Sequence, residues 1–220
     1  MGYIGENFIR ESAPAEARAQ CRYLRCRVRE AGQIQIGLYQ GHTEDGESVG
    51  DFRIREMHLT DWPAAGRIYQ QGMDTNMATF ETKCPTWEQW DASHVKSCRL
   101  VVTRGEAVLG FAALSAVSGR CVYAGVAELS IYVDGACRGQ GIGKALLRQL
   151  IICSEEKGFW TLQSGIMQEN AASISLHESC GFRRVGCREK IGRDRFGVWR
   201  NTVLMERRSQ NDPADGTPRA

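Results

Sequence analysis

The 220-residue sequence predicts a mixed α/β fold in which helices flank a largely antiparallel central sheet. Short strand-like segments alternate with segments whose apolar residues have the spacing of a helix, such as residues 141–157. A turn at Gly105 joins residues 99–103 to residues 107–117, so these two strands should form an antiparallel hairpin. A strand that runs directly into a glycine-rich loop and a helix, within residues 129–144, is the third indication.

The remaining elements are expected in a regular order. Thr60 and Asp61 can cap a helix that Pro63 begins, because proline suits the first helical turn. Gly181 is the glycine expected just past the end of another helix. The predicted strands cover residues 52–58, 99–103, 107–117, 123–133, 159–167, 183–190 and 199–206, and the predicted helices cover residues 60–71, 86–97, 141–157 and 171–180.

Three regions are expected along the chain. Residues 1–50 form an N-terminal extension whose last ten residues, rich in glycine and polar groups, resemble a linker. Residues 51–208 form the folded domain. Residues 209–220 are polar and contain two prolines, so they are expected to be a disordered tail.

Bulk composition argues against several classes of partner. The formal net charge is only +2, which favours neither nucleic acid nor an anionic membrane as a partner. No apolar run approaches the length of a membrane span. Nine cysteines without a Cys-x-x-Cys pair suit neither a disulfide framework nor a metal site. We therefore expect reduced thiols, no metal and a cytoplasmic location.

The glycine-rich loop is the most informative segment. Gly139, Gly141 and Gly143 would let a diphosphate approach the backbone, where a helix N-terminus offers free N–H groups. Their spacing differs from the dinucleotide fingerprint, and Lys144 is not followed by the serine or threonine of a nucleotide-binding P-loop. Taken alone, the loop also fits a plain glycine-rich connection between strand and helix.

Two segments together resemble the GNAT superfamily of N-acetyltransferases. Arg138-x-x-Gly141-x-Gly143 is similar to the motif with which that superfamily grips the pyrophosphate of coenzyme A. Residues 170–182, which begin at Asn170 and contain Leu-His-Glu and Gly-Phe, resemble a second superfamily segment. The resemblance implies that acetyl-CoA is the cosubstrate.

Over about residues 52–207, the chain further resembles the phosphinothricin and methionine-sulfoximine acetyltransferases. Asn201 stands where those enzymes have aspartate, and Ser118 stands where some of them carry a second basic residue. The similar segments are residues 78–82, 86–90, 120–133, 176–182 and 197–201.

The resemblance implies a role for individual residues. Glu128 would be the catalytic base, although a strand glutamate also suits a salt bridge, and His177 would be the acid or a proton relay, although it also suits the core. Arg120 would bind a substrate carboxylate beside Phe80 and Tyr123. The cofactor would contact Ile131, Tyr132, Val133, Arg138, Gly139, Gln140, Gly141, Ile142, Gly143, Lys144 and Asn170.

The expected function is transfer of an acetyl group from acetyl-CoA directly to the α-amine of a small amino acid or analogue. Two alternatives remain open from the sequence: an N-acetyltransferase that acts on proteins or peptides, and a non-catalytic module that binds acyl-CoA. The resemblance also implies a homodimer.

Overall fold

A computed structural model describes residues 37–42 and 48–210, and the side chains from residue 51 onward. These residues form a single sheet of eight strands in the order β1-β2-β3-β4-β5-β6-β8-β7. Six neighbouring pairs are antiparallel and one, β5 with β6, is parallel, which confirms the predicted mixed and largely antiparallel sheet. The strands are β1 Gly37–His42, β2 Ser48–Glu56, β3 Leu100–Arg104, β4 Ala107–Ala116, β5 Val126–Val133, β6 Thr161–Met167, β7 Arg183–Arg193 and β8 Trp199–Arg208.

Within the described residues, four α-helices cover the two faces of the sheet. They are α1 Trp62–Asp74, α2 Trp87–Ser93, α3 Ile142–Glu156 and α4 Ala171–Glu178. Val101 and Phe111 pack with α1 and α2, whereas Leu100 and Ala112 pack with α3 and α4. Since neighbouring strand residues point to opposite faces, the two pairs of helices lie on opposite sides of the sheet.

Local sequence explains where the early helices begin and end. The Thr86 side chain caps α2 by accepting a hydrogen bond from the Gln89 backbone N–H. In return, the Gln89 side-chain oxygen accepts a hydrogen bond from the Thr86 backbone N–H. The helix ends at Ser93, four residues before the predicted end. The Val95 N–H donates to the carbonyl of Leu114 at 2.8 Å instead, so the helical pattern cannot continue.

The first strands, the start of β5 and the C-terminal end of the folded region differ from the predicted bounds. β2 begins at Ser48 and β1 lies inside the predicted extension, since Gly41 pairs with Gly50 where a linker was expected. Tyr123 belongs to a 3₁₀ turn, Cys121–Tyr123, and not to the strand that follows. Ser209, placed in the predicted tail, is buried and donates its N–H to the carbonyl of Trp160. Residues 1–36, 43–47 and 211–220 lie outside the described residues.

β5 and β6 part after only three paired residues. Their parallel pairing runs from Val126 opposite Thr161 to Glu128 opposite Gln163. Beyond that point β5 stays paired with β4 and β6 with β8, so a gap opens between them. The closed end is fixed at Gly125, whose carbonyl accepts the N–H groups of both Trp160 and Thr161.

Candidate active site

The open half of β5 presents different groups to the two faces of the sheet. The face covered by α1 and α2 carries every second side chain of β5, those of Glu128, Ser130 and Tyr132. On this face the Tyr132 ring stacks on Phe111, with ring centroids 5.2 Å apart. Leu129 is buried on the opposite side with α3, and Ile131 and Val133 pack against the same cluster.

The backbone of this half-strand is open toward the gap. The Asp134 N–H donates to Leu109 in β4, on the closed side of the strand. Because successive backbone groups of a strand point to alternate sides, residues 129, 131 and 133 direct their N–H and C=O groups into the gap. This edge offers the backbone pairing that an extended ligand needs.

The glycine-rich loop lies directly after that edge. Gly139 has φ +74° and Gly141 has φ +73°, conformations that favour glycine. Gly141 is the residue before α3 and provides no side-chain cap, so the first N–H groups of the helix have no intrahelical partner. Exposed Arg138 and Lys144 add positive charge beside them. The arrangement suits a diphosphate.

Neighbouring elements hold this loop in place. The Gln71 side chain, from α1, accepts the Gly135 N–H at 3.0 Å, and Arg104 donates to the Gln140 side chain at 3.2 Å. Ile142 is buried, and Gly143 lies so close to α4 that an added Cβ would be 3.4 Å from Leu176. A loop held on both sides can present its N–H groups in a fixed arrangement.

Glu128 lies where the gap begins. Its side chain is half-buried, and its Oε1 atom is 3.5 Å from the place where a Cβ on Gly165 of β6 would lie. Within the described part of the chain, no cation forms an ion pair with this carboxylate. Glu128, the residue predicted to be the base, therefore lies beside the start of the gap.

His177 is enclosed on α4. Its Nδ1 atom is 2.7 Å from the carbonyl oxygen of Ser173, and its ring packs edge-on against Phe182. A carbonyl only accepts hydrogen bonds, so Nδ1 carries the proton. Burial lowers the pKa of His177, which favours the neutral ring, and its Nε2 atom is then a buried acceptor without a hydrogen-bond partner.

Asn170 connects α4 to the segment between α1 and α2. Its side-chain oxygen accepts the Ser173 N–H at 3.1 Å and so caps the helix. Its amide nitrogen donates to the carbonyl of Met77 at 3.2 Å. One amide therefore serves both the helix and the neighbouring segment.

The residues expected to bind substrate are arranged in two places. The Arg120 guanidinium lies 5.7 Å from the Tyr123 ring centroid, and both side chains are exposed. No carboxylate among residues 51–210 pairs with Arg120. Phe80 instead packs against β7, where an added Cβ on Gly192 would be 3.0 Å from its ring.

A half-buried group of hydroxyls beside the site was not expected from the sequence. Tyr69 on α1 and Tyr132 on β5 have ring centroids 4.7 Å apart, and both hydroxyls interact with Thr79. Burial raises the pKa of both tyrosines, so both remain neutral. Strand alternation predicts the face of Tyr132, but its partners come from distant positions and carry no local signal.

Two other kinds of feature are not found in residues 37–42 and 48–210. No group of three or more histidine, cysteine, aspartate or glutamate side chains is arranged to hold a metal ion. No helix there is long and apolar enough to cross a membrane.

Comparison with known proteins agrees with this geometry. The model of the acetyltransferase (GNAT) family matches residues 53–182, so the chain belongs to that family. Phosphinothricin N-acetyltransferase from Alcaligenes faecalis is 32% identical over 160 residues, which cover 70% of this chain and 81% of that protein.

Solved structures share the fold. One titled as a ribosomal-protein-alanine N-acetyltransferase from Brucella melitensis has a TM-score of 0.65 and 32% identity, over 71% of this chain and 99% of that one. A phosphinothricin acetyltransferase from Sinorhizobium meliloti, in complex with acetyl-CoA, has a TM-score of 0.62 and 26% identity, over 76% of this chain and 98% of that one. The protein is an acetyl-CoA-dependent N-acetyltransferase.

The lowered pKa of His177 predicts how stability depends on pH. Below about pH 6.5 the unfolded chain binds a proton that the buried ring resists, so the free energy of unfolding falls as pH falls. His177→Gln should reduce that loss, by up to about 1.4 kcal/mol per pH unit. Urea unfolding at about pH 7 and about pH 5.5 measures it.

His94→Gln is the comparison variant, because burial also lowers the pKa of His94. His94→Gln should remove a second, separate part of the same pH dependence. An unchanged pH dependence in His177→Gln would mean that the native ring takes up a proton freely, contrary to its enclosed position.

Proposed function

We propose that the protein acetylates the α-amine of a small free amino acid or amino-acid analogue of the phosphinothricin type. The observation that carries the proposal is the carboxylate of Glu128, which forms no ion pair with the described residues and lies where an open strand edge and the glycine-rich loop meet the same gap. Arg120, which has no carboxylate partner among the described residues, supports an acidic substrate.

In this proposal acetyl-CoA occupies the gap between β5 and β6. The backbone groups of Ile131 and Val133 that point into the gap would pair with the extended arm of acetyl-CoA, with Asn170 on its other side. The backbone of Tyr132 faces β4 and is not available for the predicted contact. The loop around Gly139 to Lys144 would hold the diphosphate, assisted by Arg138. The thioester would then lie near Glu128.

Glu128 acts as the base in this proposal. Acetyl-CoA supplies the acetyl group as a thioester, so that a C–N bond forms while the C–S bond breaks. An α-amine is mostly protonated at neutral pH, so it loses two protons as it becomes an amide. Glu128 removes the first, which passes to solvent, and the second leaves as the C–N bond forms and goes to the departing sulfur. One backbone N–H of β5 near Leu129 to Ile131, such as that of Leu129, which points into the gap, donates to the carbonyl oxygen as it becomes negative.

His177 is proposed as a proton relay. With hydrogen on Nδ1, its Nε2 atom can accept a proton but has none to give. The ring would therefore first receive a proton and then pass it toward the sulfur that leaves. If His177 instead acted as an acid from the start, Nε2 would have to carry a proton, and the ring would be positively charged. Burial disfavours that charged form.

The first experiment is a substrate panel with thiol release as the measurement. The panel holds phosphinothricin, methionine sulfone, common amino acids, a polyamine and a short peptide that begins with alanine. Turnover of the first two compounds, well above the rest, supports the proposal. Equal turnover of all amines contradicts it.

Arg120→Gln tests the recognition of the carboxylate. The variant should raise the KM for phosphinothricin about 10- to 100-fold, since it removes a charge-assisted pair of hydrogen bonds. The polyamine of the panel, which has no carboxylate, should react equally slowly with the wild type and with Arg120→Gln. Arg183→Gln, which removes an exposed arginine paired with Glu206, is the matched control. Equal KM values for Arg120→Gln and the wild type would disprove this role.

Glu128→Gln tests the base. The amide has nearly the same shape but cannot accept the proton, so kcat should fall about 100-fold or more. Binding of acetyl-CoA, measured by calorimetry, should not change. Glu206→Gln on β8, at the partly exposed pair with Arg183, is the control with normal turnover. Wild-type kcat in Glu128→Gln would remove Glu128 from the mechanism.

Protein N-terminal acetylation is the second candidate. The observation in its favour is the likeness to the Brucella melitensis structure, which is that of a ribosomal-protein-alanine N-acetyltransferase. Turnover of the alanine peptide, without turnover of free amino acids, would replace the first candidate by this one.

We further propose that two copies of the chain form a homodimer through β7. This strand is a sheet edge and is exposed along nearly its whole length. Exposed Ile191, Phe196, Val198 and Trp199 lie in or beside the turn that follows it. Sedimentation should give about twice the 24.5 kDa chain mass, and a mass of one chain would contradict the dimer.

A cytoplasmic location completes the proposal. The seven cysteines in the described part of the chain are free thiols, which suits a reducing compartment. Cell fractionation tests it, and recovery outside the cytosol would contradict it.

A further inference from the structure

The segment between α1 and α2, residues 75–86, carries Phe80 and is attached to the β7–β8 hairpin. Phe80 packs on Gly192, a glycine that leaves room for the ring. The Arg195 side chain donates to the carbonyl of Asp74 at 2.9 Å, and Arg200 donates to the carbonyl of Asn76 at 3.4 Å. These contacts join two parts of the chain that are more than a hundred residues apart.

Asp194 is the centre of this attachment. Its carboxylate is buried, and one oxygen accepts the backbone N–H groups of Phe196 at 2.9 Å and Val198 at 3.0 Å. The other oxygen accepts a hydrogen bond from the Asn76 side chain at 2.8 Å. One side chain therefore shapes the β7–β8 turn and holds the segment that carries Phe80.

Asn76 needs such support. Its φ is +55°, a left-handed conformation that residues other than glycine adopt rarely and asparagine more readily than most. The hydrogen bond from Asn76, more than any other favourable contact, lowers the pKa of Asp194. The carboxylate is thus ionised at neutral pH, and its bond to Asn76 is a strong, charge-assisted one.

We propose that Asp194 is a positioning residue for the amine substrate and acts through Asn76 to fix the place of Phe80. The inference rests on the proposed function and on the substrate-binding role that the family resemblance implies for Phe80. Neither Asp194 nor Asn76 contacts the glycine-rich loop or the open edge of β5 through any hydrogen bond or ion pair in the described chain. Loss of the contact should therefore weaken amine binding and leave acetyl-CoA binding unchanged.

A polarity exchange tests this contact. Asp194→Asn keeps the oxygen that accepts the two backbone N–H groups, but it places an amide opposite the amide of Asn76. Asn76→Asp places two carboxylates opposite each other. The double variant Asn76→Asp/Asp194→Asn reverses donor and acceptor and should restore the bond, and aspartate also tolerates the left-handed conformation.

The expected result is a separation of two affinities. Each single variant should raise the KM for phosphinothricin about tenfold or more, because small displacements of substrate contacts have large effects. The double variant should return to within about threefold of the wild type. The Kd for acetyl-CoA, measured by calorimetry, should stay within about twofold in all four proteins.

Asp61→Asn is the matched control at the opposite end of α1. Asp61 is also buried and forms a two-pronged salt bridge with Arg55, at 2.7 and 2.8 Å. Its loss should lower stability toward urea without a change in the KM for phosphinothricin.

Three results would overturn the proposal while the wild type is active. These are an unchanged KM in both single variants, a raised KM that the double variant fails to restore, and a parallel loss of acetyl-CoA affinity. A wild-type protein that turns over no amine in the panel would instead disprove the proposed function, and the positioning role with it.

Discussion

The parting of β5 and β6 is the constraint on which the rest of the site depends. Parallel strands normally pair along their full length, because unpaired backbone groups in a protein interior are costly. Here the pairing stops at Glu128 opposite Gln163, since each strand continues beside a different neighbour. The backbone groups left open are the ones that an extended ligand can satisfy. Gly125, against which the Trp160 ring lies, closes the other end and keeps the gap local.

In the proposed reaction, β5 separates recognition of the cofactor from recognition of the amine. Its odd-numbered backbone groups, from residue 129 to residue 133, point into the gap, and the side chains of Glu128 and Tyr132 point toward α1 and α2. In the proposed function, cofactor recognition depends on this backbone edge and on the glycines, while amine recognition depends on side chains such as Phe80 and Arg120, whose substitution would leave the backbone edge unchanged.

Local signals in the sequence were sufficient for the fold and for part of the site. The glycine spacing after β5 and the proline near the start of α1 act within a few residues, so their consequences were predictable. The end of α2 was not, because the Val95 N–H bonds to a strand that follows much later. β1 and the first residues of β2 were not predicted for a related reason: a short, polar hairpin is stabilised mainly by the sheet it joins. Asp194 and Asn76 also gave no signal, since their contact spans 118 positions.

His177 illustrates how burial limits the chemistry of a residue. A histidine in a family motif suggests an acid for the sulfur that leaves, because its ordinary pKa is near neutral. The structure adds two facts: the Ser173 carbonyl takes the Nδ1 proton, and burial lowers the pKa of the ring. Together they leave Nε2 without a proton at neutral pH. A group in that state begins the cycle as an acceptor, so the proton that reaches the sulfur must originate elsewhere. In the proposed mechanism the amine is a sufficient source, because it loses a second proton as the C–N bond forms, after Glu128 has taken the first.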